Sequence, residues 1–143
     1  MAETIVASIT DIARAAFASQ LKMGRAFTIT SFVTGSGGND PGDPNTALTP
    51  DPTLTALPSQ TFGPTAVAQI TLTTPYCVEV DCALGLLDAV GPLSNLGLIA
   101  TYTFSPVVGD PLVGTTFLFA IANRPLTVKT DSESIAFSVL INF

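Results

Sequence analysis

The side chains best spaced for chemistry are two carboxylates at alternate positions, Glu79 and Asp81, in the segment YCVEVDC. On a β-strand they would share one face about 7 Å apart, which is a separation that inverting glycoside hydrolases use. A sugar substrate also needs large rings to rest on, but the chain has no Trp and only Tyr76 and Tyr102. The pattern therefore favours the solvated face of a half-buried strand.

The chain contains no histidine. Histidine is the commonest general base, the usual activator of a nucleophile and the commonest metal ligand. Its absence weighs against hydrolases of the triad type and against most zinc sites. We therefore expect no enzymatic activity, no catalytic residue and no cofactor.

A glycine-rich stretch, GSGGNDPGD at residues 35–43, superficially resembles a phosphate cradle or a calcium loop. The phosphate interpretation fails because no Gly-Lys-Ser/Thr ending and no helix pattern follow it. For calcium, Asp40 and Asp43 offer hard oxygen ligands, but one turn supplies too few of the six to eight that are needed. Asx and glycine turns are the simpler interpretation, and an ion near Asp40 and Asp43 stays an alternative.

The charge composition bears on the class of partner. Eleven acidic and five basic residues give a net charge of −6, and charged residues make up only 11% of the chain. Nucleic-acid binding is disfavoured because phosphate contacts require clustered Lys and Arg. No apolar stretch reaches membrane-helix length, and Glu3 stands where a secretory signal would carry positive charge. So few charges are typical of a subunit whose surface is partly covered by partners.

The two cysteines, Cys77 and Cys82, lie five residues apart in a segment that reads as extended chain. A straight strand would separate their Cα atoms by about 16 Å, whereas a disulfide needs less than about 7 Å. Their odd spacing also sends the two side chains to opposite faces. We expect two free thiols.

One helix is predicted. Residues 9–24, ITDIARAAFASQLKMG, carry Ile9, Ile12, Ala16 and Leu21 at helical spacing, with Ala13, Phe17 and Met23 beside them. Thr10 or Asp11 can cap the start, and Gly24 is a natural stop. The pattern predicts a helix over residues 11–23 whose apolar stripe lies on a sheet or, alternatively, attaches to another subunit.

A first strand is predicted over residues 25–34, and a long Gly/Pro-rich loop over residues 35–64. Six of the eleven prolines and five of the eleven glycines lie in that loop, so it cannot be helix or interior strand. Its apolar residues are Leu48, Leu54, Leu57 and Phe62. We predict that Leu48, Leu54 and Phe62 are buried, either by their own domain or by a neighbouring subunit, so that the segment acts as a docking arm.

The remainder of the chain, residues 66–143, has a β pattern throughout. Six further strands are predicted, and turn residues separate them: AVAQITLTT, YCVEVDCALGLL, LGLIATYTF, TTFLFAIA, PLTVKT and SIAFSVLINF. Regular turns without helices between them indicate an antiparallel sheet or β-sandwich. The last strand is apolar on both faces, which suggests a central position or one covered by another chain. The predicted fold is a single, mainly-β α+β domain over residues 1–143, with the N-terminal helix packed on the sheet.

The order of these segments resembles the amino-terminal, baseplate-attachment domain of phage tail-collar and tail-fibre proteins. The similar stretches are ITDIARAAFASQLKMGRAFTITSFVTGSGG, TPDPTLTALPSQTF, VEVDCALGLLDAVGPL, LGLIATYTF and FLFAIANRPLTVKT. Within the third, Gly85, Leu86, Leu87 and Asp88 match a Gly-Leu-Phe/Leu-Asp motif of that family. The chain departs from the pattern by stopping at Phe143, where a fibre protein would continue into a shaft.

The resemblance implies a structural role in the virion, as a baseplate or tail-fibre adaptor assembled in the host cytoplasm. Its partners would be other tail, baseplate or fibre proteins, and homo-oligomerisation is implied, with a trimer favoured. It implies no catalytic residue and no cofactor. Candidate interface positions are Ile5, Ile9, Ile12, Leu48, Leu54, Leu57, Phe62, Ile141 and Phe143.

Two alternatives from other functional classes remain open. A carbohydrate-binding β module would need aromatic side chains on an exposed sheet face, and Tyr76 and Tyr102 are the candidates. A head-decoration protein would sit on the capsid instead of the tail.

Overall fold

The structure, a computed structural model, describes residues 2–143. Ten strands and one helix make up this part of the chain. They are β1 (Ala2–Ile9), α1 (Asp11–Met23), β2 (Ala26–Gly35), β3 (Asn39–Asp40), β4 (Asp43–Ala47), β5 (Gln60–Ala66), β6 (Gln69–Thr74), β7 (Cys77–Leu84), β8 (Gly91–Phe104), β9 (Thr116–Lys129) and β10 (Ile135–Asn142). The expectation of a mainly-β fold with one helix is confirmed.

Eight of the strands form one curled sheet in the order β5-β2-β8-β9-β1-β10-β7-β6. Strand β1 joins its two halves: residues 2–7 run parallel to β10, and Ser8 and Ile9 then pair with β9. The chain crosses between the halves again at Val67 and Ala68, whose amides bond to Thr30 and Asp81 respectively. The two halves thus enclose one apolar interior.

Strand β1 was not predicted, and its parallel pairing with β10 is a correction to the expectation of an antiparallel sheet. The alternation in residues 2–9 is short, and the strand that completes it lies at the other end of the chain. The prediction that β10 is central is confirmed, because it lies between β1 and β7. Its burial alternates, however, so only one of its faces is fully covered.

Strand β9 was predicted as two strands broken near Pro125, but it continues through that residue. The ladder with β8 explains this. Leu93 pairs with Thr127 and Asn95 with Asn123, so residues 124–126 lie opposite Ser94 alone. Such a bulge accommodates a proline that cannot donate to the ladder.

Helix α1 has the predicted bounds, with Thr10 as the N-cap accepting from the Ala13 amide and Gly24 left-handed at the C-cap. Its buried face differs from the predicted stripe. Ala13 and Ala16 are buried, whereas Leu21 is 91% exposed. Phe17 completes the contact, because its ring lies edge-on to Phe27, Phe119 and Phe143 at 5.0, 5.8 and 6.0 Å. The helix therefore packs through small residues and one aromatic ring.

The segment 35–64 is not one uninterrupted loop, because it contains the hairpin β3-β4 and the start of β5. Its longest stretch without strand structure is residues 48–59, and we call these residues the arm. Strand β5 lies at the edge of the sheet and contains Pro64. A proline-containing strand at an edge agrees with the argument that this segment cannot supply an interior strand.

Candidate interaction surfaces

The arm docks on the outer face of its own sheet. Leu57 is buried and Leu54 half-buried, and both pack with Val33, Leu118 and Ile121 in a small second core. This core lies on the face opposite the main interior, so the arm covers apolar residues that would otherwise face water. At this site the sheet carries two apolar faces and the arm covers the second.

Polar contacts fix both ends of the arm. The Leu48 amide bonds to the Gly38 carbonyl at 2.8 Å, and Asn123 donates to the Leu48 carbonyl at 3.0 Å. Towards the other end, Asn95 donates to the Pro58 carbonyl at 3.0 Å. Between them, the Asp11 amide at the start of α1 bonds to the Pro52 carbonyl at 2.8 Å. The arm therefore packs in cis.

The glycines of the GSGG motif make room for this docking. A Cβ on Gly35 would lie 2.4 Å from the Ser59 carbonyl oxygen, and one on Gly37 would lie 2.6 Å from that of Pro58. A Cβ on Gly38 would lie 2.1 Å from the Ser94 carbonyl oxygen. Close backbone approach accounts for these glycines without a bound phosphate.

The acidic turns of the same segment satisfy their own carboxylates. Asp40 accepts from the Gly42 amide at 2.8 Å. Asp43 accepts from the Thr46 hydroxyl at 2.6 Å and from the Asn45 amide at 3.1 Å. These two hydrogen bonds, that of Thr46 first, lower the pKa of Asp43. Residues 2–143 contain no group of three or more His, Cys, Asp or Glu side chains that could hold a metal.

The structure spreads the nine candidate interface positions over three environments. Ile5, Leu57 and Ile141 are buried in the chain's own cores, so their side chains do not reach the surface. Ile9, Leu54 and Phe62 are half-buried against those cores. Ile12, Leu48 and Phe143 are exposed. Burial of Leu48 is therefore not achieved within the chain, whereas Leu54 and Phe62 are largely covered in cis.

The residues considered for catalysis or ligand binding do not come together in one site. Glu79 and Asp81 lie half-buried on the outer face of β7, where the Ser138 hydroxyl is 3.5 Å from Asp81, and no pocket lies among the described residues. Cys77 and Cys82 are free as predicted. Tyr102 is half-buried and packs against Phe117 at a centroid distance of 5.1 Å. Tyr76 is exposed.

A Ser-x-x-Lys spacing, Ser19 to Lys22, lies in the last turns of α1. The Ser19 hydroxyl accepts from Arg25 at 3.3 Å and points to the Met23 sulfur at 4.0 Å. Lys22 is exposed. These contacts hold Ser19 as a helix-end residue, and the spacing carries no catalytic geometry.

Sequence reasoning did not identify an exposed apolar surface at one end of the molecule. It combines the C-terminal turn of α1 with the β8-β9 connection, and we call it the helix end. Its members are Leu21, Met23, Phe104, Val107, Val108, Leu112 and Val113, all exposed. Gly24 packs close to Pro106, which brings the two segments together.

A buried ion pair fixes the helix end. Arg25 donates from Nε to Asp110 at 2.7 Å, and the Asp110 side chain is 2% exposed. Asp110 also accepts from the Leu112 amide at 3.1 Å. Hydrogen bonds from Ser105, Arg25 and Leu112 together lower the pKa of Asp110 to about 2. The apolar turn is thus held on a charged anchor beneath it.

A second exposed apolar cluster lies at the β7-β8 connection, and we call it the loop end. Its members are Leu86, Leu87, Val90 and Val128. Below them Lys129 is 1% exposed and donates to the carbonyls of Leu86 and Thr130 at 3.1 and 3.3 Å. Asp88 accepts from the Gly85 amide at 2.8 Å and closes the turn. Leu86 and Leu87 belong to the motif that carries the family resemblance.

The helix end and the loop end lie at opposite ends of the molecule. Strand β8 begins beside the loop end at Gly91 and reaches the helix end at Phe104. Fourteen residues of strand span about 45 Å. The only sequence signal for either surface is the presence of adjacent apolar residues in a turn, Leu86-Leu87 and Val107-Val108, where turn residues are usually polar.

Searches for similar proteins found no family model that matches the chain and no curated protein that matches it. Among residues 2–143 there is one helix, of thirteen residues, and it does not combine the length and the apolar character needed to cross a membrane.

Proposed function

We propose that this chain is a structural protein of a bacteriophage tail, which acts as a baseplate or tail-fibre adaptor through protein contacts. The observation that carries the proposal is the pair of exposed apolar surfaces at opposite ends of β8. An adaptor needs two separate contacts, and exposed apolar patches on an otherwise soluble domain are typical of protein interfaces. The resemblance of the ordered segments to a baseplate-attachment domain supplies the tail context.

Both surfaces suit burial against another protein. Val108 at the helix end is fully exposed, and Leu87 at the loop end is 82% exposed. Each lies in a turn that a buried charged side chain holds from below. A prearranged turn loses little conformational entropy on binding, so more of the apolar contact contributes to affinity. We assign one end to the tail or baseplate and the other to a fibre or a further adaptor.

Homo-oligomerisation, with a trimer favoured, is part of the proposal because the family resemblance implies it. The exposed interface candidates Ile12 and Phe143 both lie at the end of the molecule that holds α1, since Phe143 packs on Phe17. Subunits arranged around a symmetry axis could share this end while each keeps its loop end free.

The test locates the chain in virus particles. Particles produced by the genome that encodes it should contain the chain, and antibodies against it should label the tail close to the baseplate in electron micrographs. Labelling of the capsid would support the head-decoration alternative, and absence from purified particles would refute the adaptor proposal. Saturable binding of the isolated chain on a glycan array would instead support the carbohydrate-binding module.

A further inference from the structure

Strand β6 leaves one edge of the sheet open. It is the last strand of the sheet order, and all six of its residues are exposed. Its sequence, QITLTT, alternates apolar and polar residues and contains no charge, proline or glycine. An exposed edge strand of this kind offers unpaired backbone N–H and C=O groups to another strand.

The other edge, β5, is closed to such pairing. It contains Gly63 at φ 95° followed by Pro64, and its ladder with β2 is irregular between Phe32 and Gly35. Proline and irregular backbone at an edge are the usual protections against strand addition. Strand β6 contains no proline, and the one irregularity of its ladder with β7 lies near its end, between Leu72 and Thr74. Residues 69–72 therefore present one open edge.

The side chains of β6 match a second copy of themselves. Ile70 and Leu72 pair with Val80 and Val78, so they face the core side, yet they are 42% and 68% exposed because no strand follows. Thr71 pairs with Glu79 and faces the outer side. An antiparallel pairing of two β6 strands about Thr71 sets each Ile70 opposite a Leu72 and the two Thr71 residues opposite each other.

Charge does not oppose this pairing, although the chain carries a net charge of −6. The carboxylates nearest to β6 on the outer face are Glu79 and Asp81, on the next strand inward. In the dimer, the β6 strands of both copies would lie between the two Glu79 side chains. With strand spacings of about 4.8 Å, these side chains would be about 14 Å apart. At physiological salt, charges at that distance are largely screened.

We propose that β6 pairs with β6 of a second copy of this chain, antiparallel and centred on Thr71, to form a two-fold dimer with one continuous sheet. Because each chain has one open edge, the β6 contact by itself joins two copies and does not extend the sheet into a filament. This inference goes beyond the adaptor proposal and does not depend on it. The dimer contact uses neither the helix end nor the loop end, so it leaves both free.

Cysteine cross-linking tests the register. Opposed residues of an antiparallel pair have Cα atoms about 4.5 to 5.5 Å apart, within the reach of a disulfide. Thr71→Cys is made in a Cys77→Ser background. Cys82 stays reduced because burial raises its pKa to about 12. We expect a disulfide-linked dimer on mild oxidation, and none from the control Thr4→Cys, which is exposed on β1.

Charge substitution provides the second measurement. Thr71→Lys gains Glu79 as a partner within its own chain, so it leaves the fold stable, but it sets two lysines opposite each other in the dimer. We expect its dimer dissociation constant in analytical ultracentrifugation to rise by about tenfold or more, since opposed like charges are unfavourable at interfaces. Thr4→Lys should leave it unchanged, and mixing Thr71→Lys with Thr71→Glu should restore dimers.

The proposal is overturned if the wild-type chain stays monomeric at all concentrations reached, or if it forms only trimers. It is equally overturned if Thr71→Cys gives no more cross-linked dimer than Thr4→Cys, or if Thr71→Lys dimerises as well as the wild type. A strand from a different protein that occupies the β6 edge in place of a second copy would also contradict it. None of these results bears on whether the chain is found in phage tails.

Discussion

The helix end and the loop end have a similar arrangement of residues, but different interactions hold each of them in place. Each is a turn of exposed apolar residues that a buried charged side chain holds from below. At the helix end the buried carboxylate of Asp110 faces the guanidinium of Arg25 at 2.7 Å. At the loop end the buried ammonium group of Lys129 bonds to the carbonyls of Leu86 and Thr130.

Because the interactions differ, the stability of the two ends should respond to different changes. The helix end depends on an ion pair, so removing one partner leaves the other charge buried without its counterpart. At the loop end, Lys129 is held by backbone oxygens, whose acceptor strength does not change with pH. We therefore expect the helix end to respond to acid and the loop end to respond mainly to the volume and hydrogen bonds of Lys129.

The largest effect is expected from Lys129→Ala. It removes a side chain that is 1% exposed and leaves the carbonyl of Leu86 without its donor. We expect the free energy of unfolding to fall by about 3 kcal/mol in urea denaturation, from the cavity and the lost hydrogen bonds together. Lys129→Met keeps most of the volume and should cost about 1 kcal/mol. If both variants lost the same free energy of unfolding, the side-chain volume of Lys129 would contribute nothing to stability.

A smaller loss is expected from Arg25→Met at the helix end. The variant keeps the aliphatic stem but removes the donor to Asp110 and the contact with Ser19. We expect the melting temperature to fall by about 3 °C, because Arg25 is 19% exposed and water can enter to solvate Asp110. Arg14→Met is the matched control, since Arg14 pairs with Asp11 on the exposed face of α1. If the melting temperature of Arg14→Met fell as much, the effect would belong to the helix and not to the buried ion pair.

The ion pair at the helix end should make stability depend on pH. The pKa of Asp110 is lowered in the folded chain from 3.8 to about 2, so the unfolded chain binds this proton at higher pH. The stabilisation is therefore complete above about pH 4 and is lost as the pH falls towards 2. We expect the difference in melting temperature between the wild type and Asp110→Asn to shrink over that window.

Lys129→Met serves as the control for this experiment. Its difference from the wild type should stay constant between pH 2 and pH 5, because no carboxylate pairs with Lys129 among the contacts described. The lowered pKa values of Asp43 and Asp51 are common to every variant and cancel in the differences. A constant difference for Asp110→Asn would contradict the charged anchor at the helix end.

The two ends also show how far sequence could predict this molecule. Helix α1 was placed correctly because Thr10 and Gly24 are local signals that act on neighbouring residues. Strand β1 was missed because its partner β10 lies at the far end of the chain, and β9 was divided because a bulge opposite Ser94 hides Pro125. No local pattern reveals that Asp110 meets Arg25, since that contact exists only after α1 packs beside the β8-β9 connection.

Polar substitutions at the two exposed surfaces should have the smallest effect on stability. They also give the most direct test of two separate contacts. Val108→Ser and Leu87→Ser change side chains that are almost fully exposed, so each should alter the free energy of unfolding by less than about 0.5 kcal/mol. If each end binds a different partner, each variant should lose one partner in reconstituted tail particles and keep the other. Val6→Ser, on the open face of β1, should keep both. Loss of both partners from either single variant would mean that the two ends form one contact, because a substitution about 45 Å away on a rigid strand pair should not disturb an independent surface.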